Sequence, residues 1–399
     1  MRLLSRMAIA FVATVALPGL LWAQDNPVQI EGDNTSFGGS SAEFLQFGAG
    51  ARGMALGGAF AAIVDDASAM HYNPAGMTFM DGPEANLTVM PYFADTDYYW
   101  TGIAFPFSDG DFGFGFYLAH FGFSDQPIFT EIDEQGLSGE FYGVSETVVG
   151  LSLAHAFIDR FSAGFTIKFI NDDLATGALA GASASTVAFD FGVNFHSELG
   201  DKPIALSFMV QNLGGSLRHS GDALRFRDVD GSTDETSLPD QRVDPIFAEI
   251  VTDGFPLPRL FRAGLSYDLL SSDNTRFTIL TEFVEPNNTS PYFGFGGEFE
   301  WMSDVSPIGA ALRGSYTTQP DNDDCDETVG EGGFFGEEIC IAGLAAGGTA
   351  VDSGLDGLGI GGGIFYRLAD QYRVNFDYAY RHFGVLGSVD VFSVTFGWQ

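Results

Sequence analysis

From about residue 84 onward, apolar side chains recur at every second position through segments of ten residues and more. In "STVAFDFGVNFH", Val187, Phe189, Phe191, Val193 and Phe195 share one parity, and Ala188, Asp190, Gly192, Asn194 and His196 share the other. In "LFRAGLSYDLL", Phe261, Ala263, Leu265, Tyr267 and Leu269 oppose Arg262, Gly264, Ser266 and Asp268. In "YRVNFDYAYRHF", Tyr372, Val374, Phe376, Tyr378 and Tyr380 oppose Arg373, Asn375, Asp377 and Arg381. A period of two puts such sets on opposite faces of a β-strand. Two architectures use strands of this kind: a soluble antiparallel sheet with one wet face, and a membrane barrel with its apolar face outward. Length separates them, because a spanning strand needs about 9–11 residues and a soluble strand averages about 5–6.

The segments here are long. They lie near 84–93, 97–107, 111–121, 145–156, 159–171, 184–196, 203–212, 258–270, 275–285, 292–301, 307–317, 355–368, 371–382 and 389–398. Their number is even, as in bacterial outer-membrane barrels. The connections after the second, fourth, sixth, eighth, tenth and twelfth segments are short ("SDG", "ID", "SELGDK", "SSDN", "MSDVS", "AD"), whereas 122–144, 213–257 and 318–354 are long. Short turns on one side and long loops on the other are the asymmetry of such a barrel. The expected fold is all-β, a 14-stranded antiparallel transmembrane β-barrel over residues 84–399, with its turns and both chain ends on the periplasmic side.

Composition agrees. The 40 Phe and 52 Gly residues form no continuous apolar run long enough for a spanning helix of about 20 residues. The opening "MRLLSRMAIAFVATVALPGLLWAQ" has a basic start at Arg2 and Arg6, an apolar stretch broken by Pro18, and a small residue at Ala23. It reads as a secretory signal peptide over residues 1–23. Formal net charge is −36, which argues against nucleic acid as a partner. The two cysteines, Cys325 and Cys340, are expected to bond to each other in an exported chain, a bridge worth roughly 3 kcal/mol; two separate thiols are the alternative. The acidic run around Cys325 fails as an EF-hand, since position six is Asp326 and position twelve Gly332. A solvated surface loop is the plainer reading, and no metal or other cofactor is assigned.

"GAGARG", Gly48 to Gly53, matches the glycine fingerprint of a dinucleotide turn, but it precedes every strand and no βαβ unit follows it. The wider stretch from Ala42 to Met77 is dominated by small residues and reads as short helical turns, with Asn73 forced out of helix by Pro74. Its runs Gly50-Ala51-Arg52, Gly57-Gly58-Ala59-Phe60, Asp65-Asp66-Ala67-Ser68-Ala69 and Asn73-Pro74-Ala75-Gly76 resemble the N-terminal signature of the PorV/PorQ family, a branch of the FadL-like outer-membrane barrels. The resemblance implies an N-terminal segment, within residues 24–83, folded into the lumen as a hatch. Gly48, Gly50, Arg52, Gly57, Gly58, Asp65, Asp66, Asn73 and Pro74 are its candidate residues. Arg52 with Asp65 or Asp66 is expected to tie this hatch to the wall.

Parity points Lys168, Asp190, Arg262, Asp268, Glu282, Glu298, Glu300, Arg313, Arg367, Arg373, Asp377 and Arg381 into the lumen. Both signs are present, so a lumen-filling ion-pair network is favoured over a one-sign selectivity ring. The six histidines show no H-E-x-x-H spacing, and G-x-S-x-G is absent. His382 has the parity of an interfacial anchor, and the chain is read as no enzyme. The resemblance leans toward handling or anchoring exported cargo in type IX-like secretion, with secretion proteins or cargo as partners. The alternatives are a FadL-like channel for hydrophobic small molecules, and a structural anchor. On every reading the wall meets outer-membrane lipids and lipopolysaccharide.

Overall fold

A computed structural model describes residues 39–129, 131–177, 180–228, 246–318, 357–368, 371–383 and 386–398. The expected signal peptide, the Cys325–Cys340 bridge and the acidic run around it lie outside these residues.

The alternating segments close into one antiparallel barrel of 14 strands. In chain order they are β1 (Glu84–Pro91), β2 (Thr96–Phe107), β3 (Phe112–Pro127), β4 (Phe141–Ile158), β5 (Phe161–Ala175), β6 (Ala182–Leu199) and β7 (Lys202–Gly214). After two short strand pairs, β8 (Ser216–Leu217) with β11 (Phe255–Pro256) and β9 (Arg225–Asp228) with β10 (Ile246–Glu249), the barrel resumes. It continues through β12 (Leu260–Ser271), β13 (Thr275–Pro286), β14 (Tyr292–Met302), β15 (Ile308–Thr318), β16 (Leu358–Leu368), β17 (Tyr372–His382) and β18 (Ser388–Trp398). Closure comes from β1, which pairs with β2 through Leu87↔Thr101 and with β18 through Leu87↔Val394.

The two faces follow the parity of the sequence. Phe189, Phe191, Phe261, Leu265, Phe376, Phe392 and Phe396 are exposed on the outer wall, as a lipid-facing band requires, while Ala188, Asp190, Asn194, Arg262, Ser266 and Asp268 are buried inside. Tyr372, Phe396, Trp398 and Phe105 cluster where the last strand ends, with ring centroids 5.7–6.0 Å apart. An aromatic group at strand-end depth suits the membrane interface.

Four strands depart from expectation. β3 to β6 run 15–18 residues rather than ending near 121, 145, 171 and 184, so each is extended at the end carrying the long connections, and β4 and β6 also run two or three residues further at the turn end. The expected loop 122–144 shrinks accordingly to 128–140. Pairing persists through Gln126↔Tyr142 and Asp172↔Ala184 because, beyond the bilayer band, a ladder needs hydrogen-bonding partners but no apolar face.

Residues 39–83 lie inside this wall. They fold as a 3₁₀ turn (Glu43–Gln46), a single α-turn (Ala51–Ala55), another (Ala69–Tyr72) and a 3₁₀ stretch (Pro74–Phe79). Asn73 is extended at φ −165° and caps the last stretch by accepting from the Ala75 N–H at 3.1 Å. On one flank Phe60, Met70, Tyr72 and Met77 pack with Tyr98, Trp100 and Tyr117 of β2 and β3, all essentially inaccessible. Such close approach uses wall positions without side chains. A Cβ on Gly102 would sit 2.7 Å from Met70 Cε, and one on Gly164 would sit 2.5 Å from the Pro74 carbonyl carbon.

The two ends of this described segment meet opposite ends of the barrel. The Ser41 N–H donates to the Pro256 carbonyl at 3.0 Å, and Asn288 Nδ2 donates to both Glu43 oxygens at 2.8 and 2.6 Å. These partners sit at the long-connection end. Thr78, by contrast, abuts Gly110 in the β2–β3 turn. The described chain therefore threads the lumen from the loop end to the turn end before β1 begins.

Candidate functional site

The lumen is held by three buried ionic groups and a polar seam. In the first, Arg52 reaches four carboxylate oxygens: Asp65 at 2.5 Å, Asp66 at 3.2 Å, and both oxygens of Glu298, at 2.9 Å from Nε and 2.8 Å from Nη2. Glu298 also accepts from Arg313 at 2.6 Å, and Arg313 donates to Asp377 at 2.5 Å. One line of charges thus joins the N-terminal segment to β14, β15 and β17. It borders a cavity of about 360 Å³ that opens at the β12–β13 turn and is also lined by Arg276, Glu300 and Arg373. Asp65 sits in the segment rather than in a strand. Burial alone would raise its pKa, but Arg52 and Arg276 outweigh that and hold it below the ordinary aspartate range.

The second group fixes the glycine turn. Arg262 Nη1 donates to Glu282 at 3.0 Å and to the Gly58 carbonyl at 3.1 Å, while Glu282 accepts from the Ala61 N–H at 3.0 Å. Gly57 and Gly58 have φ of 68° and 79°, the left-handed region that β-carbons disfavour, and this lets the chain reverse against Ser315 and Arg262. Gly48 answers to space instead: a side chain there would meet the Tyr72 hydroxyl and Met54. Gly50 sends its N–H to Thr88 Oγ1 at 3.0 Å. The glycines of "GAGARG" are spent on packing and turning inside the lumen, and every strand pair of the barrel is antiparallel, so no dinucleotide fold surrounds them.

The third group lies where the wall is irregular. Lys168 and Asp190 pair at 2.7 Å with side chains 1% and 0% exposed, and Lys168 also donates to Asn212 Oδ1 at 2.7 Å. The β6–β7 ladder shifts register between Phe189 and Phe191, and Asn212 takes φ 58° there. Its freed N–H donates to Asp190 at 2.8 Å. The bulge turns an otherwise ordinary strand residue into the third partner of a buried ion pair.

Asn73 Nδ2 donates to the Val193 carbonyl at 3.1 Å, and Gln211 Nε2 to the His71 carbonyl at 2.7 Å, tying the segment to β6 and β7. Pro74 packs over Gly164. Asp268 pairs with Arg276 at 3.0 Å, and Arg373 with Glu84 and, at 3.6 Å, with Asp81, both at the turn end. Arg381 stands half-buried near the opposite end beside Phe383 and meets no carboxylate among the described residues. Burial, then Lys168 and Arg262, push the His71 imidazole well below its usual pKa, so it is neutral at physiological pH.

Parity alone did not single out the aromatic group at the loop end. Phe47 of the N-terminal segment meets Tyr92 at 4.6 Å, Phe121 at 5.2 Å and Tyr98 at 5.4 Å between ring centroids, with Phe93 and Phe383 alongside. Tyr98 and Phe121 carry the inward parity of their strands, which was the available signal, and Tyr92 continues the inward parity of β1 just past its end; Phe47 lies in no strand and carried none. Among the described residues no group of three or more His, Cys, Asp or Glu side chains is arranged to hold a metal.

No protein-family model matches the chain, and no curated protein sequence does. Solved structures do. The Pseudomonas putida toluene transporter TodX superposes with a TM-score of 0.50 at 12% identity, covering 88% of this chain and 97% of that one. A TodX deltaS2S3 mutant, a monoaromatic hydrocarbon channel, gives 0.50 at 12% identity over 88% and 99%. The Ralstonia pickettii toluene transporter TbuX gives 0.49 at 11% over 88% and 99%. The chain is thus a 14-stranded antiparallel barrel similar in fold to the toluene transporter TodX.

Proposed function

We propose that this protein is an outer-membrane channel for small hydrophobic molecules, FadL-like in form, with residues 39–83 as a plug held in the lumen. The observation that carries the reading is the aromatic group around Phe47. An apolar cluster at the loop end, completed by a side chain of the plug itself, offers an entering apolar molecule a place to land and something to displace. The plug adds no strand to the wall; apolar packing against β2 and β3, ion pairs and side-chain hydrogen bonds hold it, contacts that can break without opening a ladder of the barrel. The fold shared with toluene transporters supports the same reading, as does the outward apolar band for an outer-membrane location.

The test is uptake of radiolabelled toluene by intact cells whose outer membrane contains or lacks the protein. A several-fold slower initial rate without it is expected; equal rates would remove the proposal.

The secretion reading is supported by the resemblance of Gly50 to Gly76 to PorV/PorQ and by nothing in the lumen. It predicts an exported protein co-purifying with the barrel from its own membrane. In this reading of the chain, residues 1–23 are a cleaved leader and the long connections face outward.

A further inference from the structure

The connection between β3 and β4, residues 128–140, shows three large apolar side chains to water: Ile132 at 99% exposure, Leu137 at 78% and Phe129 at 64%. The bilayer does not account for them. β3 and β4 stay paired through Gln126↔Tyr142 and Pro127↔Phe141, which carries the tip about 20 Å along the strands past residue 121, the expected end of the spanning segment. The tip is also closed by its own hydrogen bonds. Asp133 accepts the Leu137 and Ser138 N–H groups at 2.9 and 2.6 Å, the Gly136 N–H donates to the Asp133 carbonyl at 3.3 Å, and the Ile128 N–H donates to the Glu140 carbonyl at 3.0 Å. Gly136 and Gly139, at φ 63° and 77°, supply the left-handed turns. Ile132 and Leu137 flank this closed turn and are held out from it. Apolar side chains displayed together on an ordered element mark a surface that another molecule covers.

Charge decides which molecule. Glu131, Glu134 and Glu140 stand exposed around the tip, with Asp125 exposed on the paired extension below it. No lysine or arginine occurs between Arg52 and Arg160, so β1 to β4 and their connections offer these carboxylates no basic neighbour in sequence. Lipopolysaccharide carries phosphates, and an acid-only tip is repelled from that surface rather than drawn down onto it. A second copy of the chain would bring the same carboxylates against these, and like charges brought face to face at an interface are costly. The complementary surface is cationic, with an apolar seat.

We infer that the β3–β4 tip is a docking arm for a cationic protein segment, with Ile132 and Leu137 as its apolar anchors and Glu131 and Glu134 as the charges that draw and orient the partner. Buried apolar anchors supply most of the affinity of such a contact, and the rim charges supply rate and selectivity. The inference rests on the outward placement of the long connections and not on what passes through the lumen.

The test is binding of three ten-residue peptides to the full-length protein in phosphatidylcholine nanodiscs, read against empty discs. One peptide alternates Lys with Leu, one Lys with Ser, and one Glu with Leu. The Lys–Leu peptide is expected to bind at least about tenfold tighter than either of the others. Ile132→Ser with Leu137→Ser should lose about that factor for the Lys–Leu peptide and leave the Lys–Ser peptide as it was. Glu131→Gln with Glu134→Gln should weaken both lysine peptides and flatten their dependence on salt. Val305→Ser, at a side chain 96% exposed in the β14–β15 turn, should change nothing. Retained heat-modifiable mobility on gels establishes that each variant is a closed barrel. Equal binding of the two lysine peptides overturns the arm, since charge alone would then suffice, and so does an Ile132→Ser, Leu137→Ser protein that binds like the wild type. A photo-crosslinker at Ile132 in intact cells checks the occupant. A protein caught through a segment both basic and apolar supports the arm, whereas crosslinks only to lipopolysaccharide, a second copy or this chain itself overturn it. Toluene uptake by the Ile132→Ser, Leu137→Ser protein is expected to equal the wild type, so failure of the channel and failure of the arm show in different measurements.

Discussion

Arg52 and Glu298 meet through two parallel hydrogen bonds, Nε to Oε2 at 2.9 Å and Nη2 to Oε1 at 2.8 Å, although 246 residues separate them in sequence. This bidentate contact is where the N-terminal segment is clamped to the wall, and Glu298 shares the same carboxylate with Arg313. Bidentate, charge-assisted pairs are among the stronger hydrogen bonds, and stripping one partner leaves the others buried and unbalanced.

Arg52→Ala should therefore loosen the segment while the barrel stays closed. The expected outcome is faster protease cleavage within residues 39–83 and larger or more frequent single-channel openings, reflecting a loss of about 3 kcal/mol or more of local stability. Unchanged protease resistance and conductance would show that the clamp is dispensable.

Lys168 and Asp190 allow a cleaner energetic test because both are fully buried. Lys168→Met should cost about 3–5 kcal/mol by leaving Asp190 charged and unpaired, whereas the double change Lys168→Met with Asp190→Leu should recover most of it. Thermal midpoints of the four proteins check this. Additive losses would mean the two side chains do not act as a pair.

Glycines in the wall differ in what they face. A Cβ at Gly164 would strike the backbone of Pro74 and Ala75, which cannot step aside, whereas one at Gly115 would meet the flexible end of Met70. Gly164→Ala is expected to destabilise by about 1–3 kcal/mol and Gly115→Ala by clearly less. Equal effects in denaturant unfolding would indicate that the segment shifts as a body.

Acid should weaken the structure through His71. Its folded-state pKa lies well below 6.5, so below about pH 6.5 the unfolded chain takes up a proton that the folded one refuses, and stability falls as pH drops. One such group contributes up to about 1.4 kcal/mol per pH unit over that window. Asp65, whose pKa is depressed, has the opposite sense: its contribution is full above about pH 4 and is lost only as the pH falls through its lowered folded value. Between pH 7 and 5 the melting midpoint should thus drop in the wild type, and His71→Asn should flatten that slope. A slope unaffected by the substitution would assign the effect elsewhere.

Much of the barrel was legible in the sequence because its signal is local. Period two tells each strand which face is which, and strand length in membrane is set by the bilayer, so Phe189, Phe191 and Phe261 point outward whatever their neighbours do. The same parity placed Arg313, Asp377 and Glu298 inside. It could not say that they form one line with Arg52, since their partners are chosen only when β14, β15, β16 and β17 follow one another in a closed wall.

Other features were decided by tertiary structure alone. The segment threads from the loop end because Ser41 and Glu43 find acceptors and donors on connections far away in sequence, at Pro256 and Asn288. The bulge at Asn212 and the extension of β3 to β6 have no local cue, because a ladder ends where its partner ends. Arg381 is the sharpest case: sequence placed a charge inside the barrel, and only the packed lumen left it beside Phe383 and Arg262 without a carboxylate. Alternation is a property of one strand, whereas pairing, threading and an unbalanced charge are properties of the closed barrel.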